Sequence, residues 1–107
     1  MSIQHPDRVD FISLKDSHVY LTISDHLNWN NVNDHILLLQ SKVNAYLNFC
    51  QSGEIYEKFP QYEGKKILIQ LNGKYSLPEA GRIFLEQTNE VLNLLEIKLL
   101  FDHIPDI

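Results

Sequence analysis

Apolar and polar residues alternate along the start of the chain and then switch to helical spacing, and that switch lays out the fold. From Arg8, Val9, Phe11 and Ser13 point one way and Asp10, Ile12 and Leu14 the other. After the polar break Lys15-Asp16-Ser17, Val19, Leu21 and Ile23 turn inward against His18, Tyr20 and Thr22. Two alternating runs around a three-residue polar break predict a hairpin. Ser24 to Asn31 is then a loop rich in side chains that bond to nearby backbone. A helix is expected from Asn31, a good N-cap with Asp34 three residues on, to about Ser52, where Gly53 can end it. Ile36, Leu39, Val43, Tyr46, Leu47 and Cys50 recur on one face of that helix, while Gln40, Lys42, Asn44 and Asn48 fall mostly elsewhere. Leu37 and Leu38 widen the apolar face beyond what a sheet alone would cover.

Glu54 to Phe59 has room for one or two more turns before Pro60. Lys65 to Leu71, with Ile67, Leu68, Ile69 and Leu71, reads as a strand of the sheet interior. Asn72-Gly73 is expected to be a bend rather than a hairpin turn, because too few residues follow before Pro78 to make a partner strand. Ser76-Leu77-Pro78-Glu79 has the form of a capping box and predicts a helix start. That helix carries Ala80, Ile83, Phe84, Val91, Leu92 and Leu95 on its apolar face and ends near Asn93; Ile97 to Phe101 then alternates as a last strand. The expectation is a single α+β domain over 1–107, with tails at 1–7 and 103–107. Its four-stranded mixed or antiparallel sheet, in the order ββαβαβ, is covered on one face by two helices. If each helix is a right-handed crossover, the last three strands are parallel and the first runs against the second.

Composition narrows the setting. A chain of 107 residues with 44% apolar residues can bury one hydrophobic core. Its net charge of −5 is the wrong sign for a phosphate backbone or an anionic lipid surface, so nucleic-acid and membrane roles are disfavoured and a basic partner is favoured. The single cysteine, Cys50, has no internal partner, and no run approaches the length of a membrane span, which together point to a soluble, cytoplasmic domain.

Three Asp-His pairs, Asp25-His26, Asp34-His35 and Asp102-His103, invite a catalytic or metal reading. Sequence neighbours diverge on a helix and point to opposite faces of a strand, so no pair orients itself, and no histidine has another at i+4. A metal or acid-base site would need Asp25, His26, Asp34 and His35 to converge, with His26 and His35 as the nitrogen ligands. No cofactor motif is present. Trp29 has two readings, a plug folded back on the core or an exposed anchor for a partner, with Asp25, His26, Asn28 and Asn31 as its polar surroundings. Cys50 reads as a buried structural thiol.

The stretch Leu21-Thr22-Ile23-Ser24-Asp25-His26-Leu27-Asn28-Trp29, followed by Leu37-Leu38-Leu39-Gln40 and Lys42-Val43-Asn44-Ala45-Tyr46-Leu47, resembles a family of small, functionally uncharacterised bacterial proteins. The Asp-His-Leu-x-Trp loop is the most specific part of the likeness, which extends over nearly the whole chain. The resemblance implies a self-contained bacterial domain and carries no activity. The family often has an acidic residue before the tryptophan, where this chain has Asn28, a departure that weakens any charge-based role for the loop.

Three classes of function stay open on these residues. The first is a protein- or ligand-binding module, for example an acidic immunity-type partner of a basic toxin or a regulatory partner, using the Asp25 to Asn33 loop and the wide helix face, as a homodimer. The second is a metal-dependent or acid-base enzyme built on Asp25, His26, Asp34 and His35. The third is a purely structural homodimer joined through Leu37, Leu38 and their neighbours.

Overall fold

The computed structural model describes residues 11–107; the expected arm at 1–7 and the start of the first strand at Arg8 lie outside them. Strands β1 (Phe11–Lys15) and β2 (His18–Asp25) form an antiparallel hairpin. The break between them is shorter than expected. Lys15 pairs with His18, leaving a two-residue turn at Asp16 and Ser17, both left-handed at φ 53° and 66°. This is the backbone that matches strand twist in a tight hairpin, and it normally selects Asn or Gly.

Helix α1 (Val32–Gln51) leads from β2 to the short α2 (Glu54–Lys58), a 3-10 turn at Pro60–Tyr62 and strand β3 (Lys66–Gly73). Asn31 caps α1 by accepting from the Asp34 amide at 3.3 Å, and Gly53, at φ +83°, lets the chain leave α1 and enter α2. Helix α3 (Glu79–Asn93) leads on to β4 (Ile97–His103), which carries the pairing two residues past Phe101. The expected capping box does not form. Leu77 precedes a proline and is held out of helical backbone, so α3 begins after Pro78, with no side-chain cap.

The sheet order is β1-β2-β3-β4, with β2, β3 and β4 parallel. Both helices cross over between parallel neighbours. Right-handed connections therefore put α1 and α3 on the same face of the sheet. That face carries Val19, Leu21 and Ile23 of β2, Ile67, Ile69 and Leu71 of β3, and Ile97 and Leu99 of β4, all buried with Leu39, Val43, Tyr46 and Cys50 of α1. Each large side chain so buried stabilises the fold by about 1.5–3 kcal/mol. Lys42, placed by its polarity outside this face, lies within it and is fully buried, with its ammonium 5.4 Å from the Tyr46 ring centroid; the Tyr46 hydroxyl donates to the Thr22 carbonyl at 2.7 Å.

The opposite face is only partly covered. Tyr20, Thr22, Leu68 and Leu100 are half-buried there, and Gln70 Nε2 donates to Asn72 Oδ1 at 3.0 Å and to Asp102 Oδ2 at 2.9 Å. At the outer edge of β4, Asn89 of α3 bonds Leu99 twice: its Nδ2 donates to the Leu99 carbonyl at 2.9 Å and its Oδ1 accepts from the Leu99 amide at 2.8 Å.

Candidate functional site

The carboxyl ends of parallel strands are where open α/β sheets commonly hold ligands. Here that end is filled. Asp25, the last residue of β2, continues the inward series Val19, Leu21, Ile23 and is buried. His35, one turn before Leu39 on the core face of α1, is buried too, and its Nε2 lies 2.5 Å from Asp25 Oδ2. Its Nδ1 lies 3.1 Å from the Asn28 carbonyl, which can only accept, so Nδ1–H donates there. The Nε2 contact with Asp25 then closes as a bond through a second hydrogen, and neither ring nitrogen is left to face a substrate or a metal. Asp25 Oδ1 accepts from the Leu27 amide at 3.1 Å, which turns the chain out of β2.

Trp29 lies flat on His35. Its ring stacks on His35 with centroids 3.7 Å apart and planes 16° apart. Beyond it lies the first turn of α3, where a methyl group on Gly81 would fall 3.2 Å from Trp29 Cη2 and 2.9 Å from Leu77 Cδ2. Trp29 thus wedges between the starts of α1 and α3. Next to it, Gly73 at the end of β3 has Phe101 over it so closely that a Cβ would come within 2.7 Å of the ring. The Lys74 amide donates to the Asp25 carbonyl at 2.9 Å and the Ile104 amide to the Gly73 carbonyl at 2.8 Å, tying the three strand ends together.

The structure brings Asp25, Trp29 and His35 together and leaves the other candidates outside. His26 is exposed. Asn28 Oδ1 accepts from the Asn30 amide at 3.0 Å, and Asp34 accepts from Asn31 Nδ2 at 2.8 Å at the start of α1. None of the three Asp-His neighbours pairs with its neighbour: Asp102 bonds Gln70, and His103 Nε2 lies 3.1 Å from the Lys74 carbonyl. Among the described residues, no three of His, Cys, Asp and Glu are grouped to hold a metal ion. Asn28, Asn31, Asp34 and His35 do line a small hollow of about 220 Å³ at the loop.

Two further features complete the surface. Cys50 borders a hollow of about 430 Å³ at the opposite end of the sheet, beside Tyr56, Lys65 and Glu96, where burial pushes its thiol pKa up to about 11 and keeps it a thiol at neutral pH. Between α1 and α3 runs a largely apolar trough with two depressions, of about 490 and 290 Å³. Ile36, Leu37, Ala80 and Ile83 line the first, and Val43, Leu47, Val91 and Leu92 the second; Gln40, Phe84 and Gln87 line both and form the saddle between them. Among the described residues, none that lines either depression is charged. Val91, whose spacing predicted core, is 58% exposed, and Leu37, which widens the apolar face of α1, is 59% exposed.

The fold and its filled strand ends define a two-layer α+β domain, and among the described residues no helix is long and apolar enough to cross a membrane. The chain belongs to a family of unknown function, DUF6572, whose family model matches residues 1–105. No curated protein and no solved structure matches it.

Proposed function

We propose that this domain is a protein-interaction module that works as a homodimer, and that the trough between α1 and α3 is the surface through which two copies join. The carrying observation is that the trough is largely apolar and, among the described residues, uncharged, with Asn33, Gln40, Asn44, Gln87 and Thr88 as its polar members, on a chain whose net charge is −5. Two copies of an acidic protein repel, so the surface that brings them together must keep carboxylates out of the contact. The ionised groups of α3 sit on its solvent side, where Arg82 pairs with Glu86 at 3.0 Å. Contiguous exposed apolar surface of this kind marks interaction sites in soluble proteins. The remaining acidic surface is then available to a basic partner, in the manner of an immunity protein or a regulatory subunit. A lone, buried cysteine suits the reducing bacterial cytoplasm, where we place the domain.

The acid-base reading of Asp25, His26, Asp34 and His35 has less support, because both nitrogens of His35 are already bonded, His26 is exposed and Asp34 is bonded to Asn31. The hollow of about 220 Å³ favours one second reading: a small polar molecule held at the loop by Asn28 and Asn31, with Asp25 and Trp29 fixing His35 behind.

Sedimentation equilibrium of the full chain from low micromolar to near-millimolar concentration tests the leading reading. The wild type is expected to pass from monomer to dimer, and Leu37→Glu and Val91→Glu to stay monomeric while remaining folded by circular dichroism. A wild type that is monomeric throughout overturns it. Native mass spectrometry of the same samples tests the second reading: a bound small molecule present in the wild type and lost in Asn28→Ala would support it, and an unliganded chain would sink it.

A further inference from the structure

We infer that the uncovered face of the sheet docks a short segment of a partner protein that combines acidic and apolar residues, a surface separate from the trough. The strand register places a row of basic side chains on that face. Lys15, His18 and Lys66 are paired across β1, β2 and β3 and so stand side by side. Lys98 of β4 is paired with Leu68, two residues on from Lys66, and continues the row diagonally. With strands about 4.8 Å apart, Lys66 lies about 10 Å from Lys15, and Lys98 about 8 Å beyond Lys66. The three lysines are exposed, and among the described residues none of them is in an ion pair. Lys65 joins them just before β3, and the acids at this end are Asp16 in the hairpin turn and Glu96 before β4, so the end is net positive on a chain of −5. Glu54 and Glu57 of α2 and Glu79, Glu86 and Glu90 of α3 are on helices instead. Positive charge gathered in this way against the balance of the chain selects an anionic partner.

The layout of the face selects the kind of anion. Next to the row, Tyr20, Leu68 and Leu100 are half-buried and Phe11 is 56% exposed, an apolar middle; Gln70, Asn72 and Asp102 form a polar far end. In an extended segment, alternate side chains lie about 7 Å apart on one side. Two or three carboxylates so spaced can reach the row while neighbouring apolar residues cover Tyr20 and Leu68. A nucleic-acid strand carries charge along its whole length, and its phosphates would run on from the row to Asp102.

Fluorescence anisotropy tests the contact with a short labelled peptide that has glutamates at alternate positions followed by an apolar run. The wild type is expected to bind it, and to bind the same peptide with glutamines in place of the glutamates about tenfold or more weakly. Lys66→Glu and Lys98→Glu are each expected to weaken binding of the glutamate peptide about tenfold or more, because a like charge then faces the ligand. Lys58→Glu on α2 alters the net charge by the same amount away from the sheet face, and is expected to leave binding within about twofold. All three positions are exposed, so the variants should fold as the wild type does by circular dichroism. No binding of the glutamate peptide, or equal losses in Lys58→Glu and Lys66→Glu, would overturn the inference. Tighter binding of a single-stranded RNA than of the peptide would overturn it too, and would make the face a nucleic-acid surface. The variants leave the trough untouched, so none of these outcomes decides the homodimer reading.

Discussion

Two ends of the same pair of helices are built on opposite plans. At the starts of α1 and α3, the polar and aromatic residues that draw attention in the sequence, Asp25, Trp29 and His35, are turned inward, bonded to one another and used to hold strand ends and helix starts in place. Elsewhere on the same helices, Ile83 and Val91, which read as core, and Leu37, which widens the apolar face of α1, are left exposed. A side chain of catalytic type is no evidence of a site until its bonding capacity is counted, because a buried histidine with both ring nitrogens engaged has neither left to offer a ligand. An apolar side chain, conversely, assigns itself to the core only if another element is there to cover it.

The comparison can be broken most directly at Asp25. Replacing it with alanine removes the partner of His35 Nε2 and the acceptor of the Leu27 amide in a dry environment, so Asp25→Ala is expected to cost about 3–5 kcal/mol of stability, measured by urea unfolding. That is a large share of the roughly 5–15 kcal/mol that holds a domain of this size together. A loss below about 1 kcal/mol, in the range of ordinary surface changes, would show that the pair is not structural and would return it to the list of functional candidates. At Gly81, alanine would normally strengthen a helix interior by up to about 1 kcal/mol. Here the added methyl must push Leu77 and the Trp29 ring aside, so Gly81→Ala is expected to destabilise by about 1–3 kcal/mol and to shift the tryptophan emission as the ring leaves His35. A stabilised variant with unchanged emission would mean that Trp29 is not wedged between the helices.

The trough should behave in the contrary way. The double substitution Leu37→Ser, Val91→Ser is expected to change unfolding stability at high dilution by no more than about 0.5 kcal/mol, while clearly weakening self-association at high concentration. A large loss of monomer stability would mean that these residues pack in the isolated chain after all. The smallest effect concerns Cys50, chemistry-bearing like His35 but set among apolar neighbours. Its thiol ionises near 9.0 when unperturbed and near 11 in the fold, so the unfolded chain releases the proton first. The contribution of Cys50 to stability is therefore fully present below pH 9.0 and falls as pH rises through the window up to about 11. Cys50→Ala is expected to unfold with a shallower loss of stability over that window in pH-dependent denaturation, and an identical slope would show that the thiol is solvated.

Much of this architecture was legible in the residues. The period-two run Val19, Leu21, Ile23 and the period-3.6 run Leu39, Val43, Tyr46, Cys50 set β2 and α1 correctly because both faces of each element differ sharply in polarity. The hand of the crossovers then set the strand directions. The Asp25–His35 contact was foreshadowed by the same periods: extending the strand series by two reaches Asp25, and stepping back one turn from Leu39 reaches His35. It was passed over because polarity is taken as a sign of exposure, and Lys42 was misplaced outward for the same reason, although it lies one turn before Tyr46 on the buried stripe. The start of α3 was misjudged because the capping signal at Ser76 competes with the backbone restriction that Pro78 places on Leu77, and the restriction prevails. How far α1 and α3 splay apart is a matter of packing between distant segments, and no local pattern encodes it.

The paired bonds between Asn89 and Leu99 have a bearing on how the protein behaves when crowded. An outermost strand offers a row of unfilled amides and carbonyls that a passing chain can extend, the first step toward fibrils. Asn89 imitates one peptide unit of such an added strand from the protein's own helix, and so closes the middle of β4 to templated growth. Contact between crowded copies is thereby steered away from one that propagates.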